Sequence, residues 1–86
     1  MPITVKLPTE IAGIVGIAEV KAAPGTPKQV VLEIATNHPS IRKYFLDADG
    51  DVRESLAFFK NGRQVPYDEK VPDAAELEII PQISGG

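Results

Sequence analysis

The residues with the clearest chemical potential stand together at the end of the chain: Ile83, Ser84, Gly85 and Gly86, just after Pro81. A terminal glycine carboxyl is unhindered and can attack a phosphate of ATP. Glycines carry no side chain, so such a segment can lie extended in a narrow channel. Drawn out from Pro81 to Gly86 it reaches roughly 20 Å. Taken alone, the ending reads as a frayed terminus. Its meaning depends on the body that bears it.

Other candidate chemistry is thin. Asp47-Ala48-Asp49-Gly50-Asp51 starts like a calcium loop. Such a loop needs glycine at its sixth position and a bidentate glutamate at its twelfth. Val52 and Phe58 stand there, so the segment reads as a solvated acidic turn and no metal site is expected. His38 is the only histidine and has no ligand spacing around it. No cysteine is present, which excludes disulfides, thiolate metal sites and a cysteine nucleophile. Sulfur handled here cannot sit on a side-chain thiol. There is no glycine-rich phosphate loop and no pairing of nucleophile with base, so the chain is not expected to be an enzyme in its own right.

The elements that must position the terminus read as follows. Ile3 to Leu7 alternates apolar and polar, a half-buried strand with Ile3, Val5 and Leu7 inward. Ile11 to Gly16 is apolar but broken by Gly13 and Gly16 and is taken as a loop. Ile17 to Ala22 reads as a second strand. Thr26-Pro27 starts a helix: threonine caps an orphan N–H, and proline has none to satisfy. Val30, Val31, Ile34 and Ala35 form its apolar face, and Asn37 to Pro39 stops it. A short turn with Ile41, Tyr44 and Phe45 on one side follows. Leu56 to Lys60 is a strand, Asn61-Gly62 a type I′ hairpin signal, and Arg63 to Val65 the return. After a polar connection, Glu76 to Ile80 is the last strand, ended by Pro81. The order β-β-α-β-β-β predicts an α+β domain, one mixed sheet of four to five strands packed on one main helix. Residues 1–81 are expected to form it, and residues 82–86 a flexible tail. Ile3, Val5, Leu7, Val30, Ile34, Leu56, Phe58, Leu77 and Ile79 are the expected core.

With 86 residues there is room for one modest core and no deep active site. The net charge of −3 argues against non-specific nucleic-acid binding. No basic segment followed by an apolar one opens the chain. The apolar stretch from Ile11 to Ala18 is too short to span a bilayer. A cytoplasmic protein without membrane or nucleic-acid partners is expected.

The sequence resembles the sulfur carriers related to the molybdopterin synthase small subunit and the thiamin sulfur carrier. The resemblance runs through Val5-Lys6-Leu7-Pro8, Ile11-Ala12-Gly13, His38-Pro39-Ser40-Ile41-Arg42 and Leu46-Asp47-Ala48-Asp49-Gly50. It continues in Phe58-Phe59-Lys60-Asn61-Gly62-Arg63 and ends, at its most specific, in Leu77 to Gly86. It implies a ubiquitin-like β-grasp fold and a reaction cycle. A ubiquitin-activating-type enzyme adenylates the terminal carboxylate at the expense of ATP. A sulfur donor then converts the acyl-adenylate to a thiocarboxylate, which delivers sulfur to an acceptor synthase. By position Gly86 is the modified residue, and Ile83, Ser84 and Gly85 are the threaded tail. No cofactor is implied on the chain itself.

The insert from Pro39-Ser40-Ile41-Arg42 to Asp47-Ala48-Asp49-Gly50 looks more like carriers for cysteine or other sulfur metabolites than the molybdopterin synthase subunit. Two positions depart from the family pattern. Lys60 stands where an apolar residue is frequent, and Asp73-Ala74-Ala75-Glu76 replaces the usual Asp-Gly-Asp-Glu. A ubiquitin-like modifier joined to lysines through Gly86 shares the chemistry up to the adenylate. A non-catalytic β-grasp binding domain is the other alternative. Strand parity turns Ala57, Phe59, Glu78 and Ile80 away from the helix. Phe59 and Ile80 are therefore the expected partner surface, with the acidic run from Asp68 to Glu78 steering a basic partner.

Overall fold

The computed structural model describes residues 2–72 and 74–81. The elements are β1 (Ile3–Lys6), α1 (Thr9–Val15), β2 (Glu19–Ala22), α2 (Pro27–Asn37), α3 (Pro39–Phe45), β3 (Leu56–Lys60), β4 (Arg63–Val65) and β5 (Glu76–Pro81). The strands form one mixed sheet in the order β2-β1-β5-β3-β4. β1 and β5 run parallel, and the other neighbours are antiparallel. The helices cover one face. This is a ubiquitin-like β-grasp.

Each element forms for a local reason. Thr26 Oγ1 accepts from the Gln29 N–H at 3.2 Å, and Gln29 Oε1 accepts from the Thr26 N–H at 2.9 Å. This reciprocal box satisfies two orphan groups at the start of α2, beyond the single cap that Thr26-Pro27 suggests. Asn61 and Gly62 both have positive φ, 49° and 88°, as a type I′ turn requires. Asn61 also ties the hairpin to β5: its Oδ1 accepts from the Glu76 N–H at 3.1 Å.

All nine expected core residues are buried, Ile3, Val5, Leu77 and Ile79 completely. Val30, Val31, Ile34 and Ala35 of α2 meet the inward face of the sheet in a single cluster, which Ile41 and Phe45 of α3 join.

Three readings are corrected. Ile11 to Gly16 is not a loop; most of it lies in α1. Its two glycines hide the helix, yet Gly16 serves the helix by ending it. It sits at φ 76°, and its N–H donates to the Ala12 carbonyl at 2.8 Å, a left-handed stop that glycine adopts readily. The element order is accordingly β-α-β-α-α-β-β-β. The last strand runs one residue further than Ile80: Pro81, opposite Leu56, belongs to it and closes it. Ala57 keeps the place on the open face that strand parity gives it, and is nonetheless buried. Its single methyl sits opposite Ile80 and two residues from Phe59, and larger neighbours shield it.

Both departures from the family pattern have a structural account. Ala74, where glycine is usual, has φ 62°, a conformation that costs a residue with a Cβ roughly 1–2 kcal/mol. Lys60 is half-buried, and its Nζ lies 3.3 Å from Glu69 Oε2, so the charge has a partner where the family places an apolar side chain.

Candidate functional site

Because β1 and β5 are parallel neighbours, both deliver their C-terminal ends to the same end of the sheet. There β1 passes through Leu7 and Pro8 into α1, and β5 finishes at Pro81. Between them lies a cleft of about 320 Å³ formed by Leu7–Glu10 and Glu78–Pro81. Glu10 and Glu78 place two carboxylates on its rim. Ile83, Ser84, Gly85 and Gly86 lie outside the described residues. The structure thus describes the root from which they continue.

The open face of the sheet begins at this root. Register places Thr4 beside Glu76, Lys6 beside Glu78, Ala57 opposite Ile80 and Phe59 opposite Glu78. Phe59 and Ile80 are diagonal neighbours across β3 and β5, within reach of each other for side chains of their size. Ile80 is 38% exposed, while Phe59 is half-buried. The face is divided. Its β2-β1 half is polar: Lys21 Nζ donates to Thr4 Oγ1 at 2.6 Å, and Lys6 pairs with Glu76 at 3.5 Å. Its β5-β3 half carries the apolar strip of Ala57, Phe59 and Ile80.

Two members of the acidic run are matched by cations. Glu69 takes Lys60 at 3.3 Å and Arg63 at 3.7 Å, and Glu76 takes Lys6. Asp68 and Glu78 take part in no ion pair among the described residues. Any long-range field of the run therefore rests on fewer charges than the sequence suggests.

The calcium-like segment closes on itself. Asp47 Oδ1 accepts from the N–H groups of Asp49 and Asp51 at 2.9 and 3.0 Å. The Asp47 N–H donates to the Asp51 carbonyl at 2.8 Å. One oxygen of that carboxylate thus serves the turn. Among the described residues no group of His, Asp and Glu side chains has the arrangement to hold a metal ion. His38 joins α2 to α3: its N–H donates to the Ile34 carbonyl, and its carbonyl accepts from the Ile41 N–H.

Two exposed apolar residues escaped the sequence reading, Ile14 on α1 and Tyr67. Ile14 was hidden with its helix. The signal for it was the pair of Pro8 and Gly16 bracketing a seven-residue span with Glu10 in the first turn. No described helix is long and apolar enough to cross a membrane.

The model of one protein family matches residues 5–86. The chain belongs to the ThiS family. The match confirms the resemblance to ubiquitin-like sulfur carriers. SAMP1 from Haloferax volcanii superimposes with a TM-score of 0.82 at 21% identity, with 100% of each chain covered. A chain in the crystal structure of the Amycolatopsis orientalis BexX/CysO complex gives 0.75 at 21% identity, covering 98% of this chain and 99% of that one. A putative molybdopterin converting factor subunit 1 from Pyrococcus furiosus gives 0.70 at 19% identity, covering 96% and 99%. At these identities the solved structures bear on the fold, while ThiS-family membership rests on the sequence match. No curated protein matches this ThiS-family sequence.

Proposed function

We propose that this protein is a sulfur carrier that works through the carboxylate of Gly86. The observation that carries this is the join between fold and tail. The central strand of a ThiS-family β-grasp runs to Pro81 beside an acidic cleft and continues as Gln82-Ile83-Ser84-Gly85-Gly86. The chain is a co-substrate, and a partner of the ubiquitin-activating type supplies catalysis and binds ATP. The carboxylate oxygen attacks the α-phosphorus, pyrophosphate leaves, and an acyl-adenylate forms. Sulfide-level sulfur from a donor then attacks the acyl carbon and displaces AMP, giving the thiocarboxylate, which an acceptor synthase consumes in making a cysteine-type or other sulfur metabolite, or molybdopterin. Ile83, Ser84 and Gly85 are the segment threaded to the adenylation site.

The kinship with SAMP1, which bears the name small archaeal modifier protein, supports a second use of the same adenylate, an isopeptide bond to lysine. Intact-mass measurement on protein purified from its own organism separates the two. The carrier reading expects a species in which one oxygen is replaced by sulfur. Conjugates alone, each heavier by a whole protein, would reassign the chain as a modifier.

The strip of Phe59 and Ile80 is the proposed seat of the activating partner. An aliphatic side chain left wet beside the root of the tail is covered on docking, holding the body while Gly85 and Gly86 reach the site. The bland alternative is a scatter of surface apolar residues. The variant Phe59→Ser/Ile80→Ser is expected to raise the apparent KM of activation with kcat little changed and the fold intact. Unaltered kinetics in a folded double variant would move the docking surface elsewhere.

A further inference from the structure

The surfaces that meet the two ends of α1 differ in charge. Its N-terminal end borders the cleft rimmed by Glu10 and Glu78. Its C-terminal end borders an open groove of about 680 Å³ shared with α3. Ile14, Val15, Pro39 and Tyr44 give this groove its apolar surface, and Arg42 and Lys43 stand on its rim with Asp47 the one acid.

Ile14 is 64% exposed, the most exposed of the large apolar side chains among the described residues. The fold does not need it: α1 holds the core through Ile11, which is buried, and Val15, which packs against the cluster. A lone surface isoleucine would call for no explanation. This one shares a concave surface with Val15, Pro39 and the half-buried ring of Tyr44. Lys43 Nζ lies over that ring, 5.3 Å from its centroid. The dipole of α3 accounts for cations in its last turn, but not for the apolar wall beside them. Neither Arg42 nor Lys43 takes part in an ion pair among the described residues.

We infer that the groove between α1 and α3 is a docking surface for a second protein partner, one that inserts an apolar side chain flanked by carboxylates. Charge complementarity selects this occupant. A protein of net charge −3 sets two cations against one acid here, so an acidic surface is drawn to this groove and repelled from the cleft of Glu10 and Glu78. A basic surface is sorted the other way. The groove serves a partner different from one that settles on the acidic root of the tail, and it does so whether or not Gly86 is activated.

The test places a photo-crosslinking benzoylphenylalanine at position 14 of the full chain, expressed in its own organism, and identifies the crosslinked peptide by mass spectrometry. The expected adduct joins position 14 to a different protein, through a peptide with acidic residues around an aliphatic or aromatic one. Combining the probe with Arg42→Glu/Lys43→Glu is expected to lower its yield roughly tenfold. Both side chains are exposed, so the charge-reversed protein should stay folded, its melting temperature lowered only by the lost dipole and ring contacts of α3. No adduct, an adduct only with a second copy of this chain, a crosslinked peptide without acidic residues, or a yield indifferent to the charge reversal in a folded protein would overturn the inference.

Discussion

Deleting Gly86 is expected to reduce activation by the adenylating partner to background while leaving the melting temperature of the domain unchanged. Adding one residue after Gly86 should do the same. Both expectations follow from where the described fold holds its core. The last strand closes with Pro81 opposite Leu56, and every expected core residue lies at or before Ile79. Five residues of chain follow Pro81, the last described residue, up to the carboxylate. Shortening the segment withdraws the carboxylate by roughly 3.5 Å, more than an in-line attack on phosphorus tolerates. Lengthening it turns the glycine carboxylate into an amide, whose carbonyl oxygen is a far weaker nucleophile, and carries the free carboxylate roughly 3.5 Å past the reacting position. Pyrophosphate release reads the chemistry, and thermal unfolding reads the fold. Full turnover by the shortened protein would remove the basis for the carrier reading.

The second large effect is on stability. Phe58→Ala is expected to cost roughly 3–5 kcal/mol, a large part of the roughly 5–15 kcal/mol that holds a small domain together. Phe58 is 3% exposed. It stands in the middle of β3, opposite Ile79 on one side and Val65 on the other. Truncation therefore removes contacts with two strands at once and leaves a void between sheet and helices. It also widens the nearby cleft of about 210 Å³ that Phe58 shares with Lys28, Leu56 and Tyr67. In urea titrations the midpoint should fall with the slope unchanged. A loss below about 1 kcal/mol would mean that the surrounding side chains close the void.

The sequence made the strands legible because period two is visible even in four residues, and the parity of Ile3, Val5, Leu77 and Ile79 was enough to name the core. α2 was legible from one cap and one apolar stripe. α1 was not. In seven residues a helix makes barely two turns, and Gly13 dilutes its periodicity, so only the brackets at Pro8 and Gly16 mark it. With α1 went Ile14 and the whole groove, because a concavity between two helices needs both helices. The fate of Ala57 was illegible for another reason. Strand parity says which way a side chain points, while burial depends on the size of its neighbours across the sheet, here Ile80 and Phe59. The chemistry assigned to Gly85 and Gly86 rests on residue type and on the resemblance, and these residues lie outside the described ones.

The place of β5 in the sheet has a mechanical consequence. It is held on both flanks, by parallel β1 and antiparallel β3. An enzyme that draws the following segment into its active site pulls along the strand. The load then falls on two ladders in shear, and many hydrogen bonds must yield together. At a sheet edge, a pull directed away from the sheet would open them one after another. A central strand is thus a firm anchorage for the tail of the proposed carrier. The partner Cα positions it joins, Thr4 and Glu76, lie about seventy residues apart in sequence, so this contact exists only when the two ends of the domain have come together. A tail firmly anchored to β5 is therefore a tail on a finished domain.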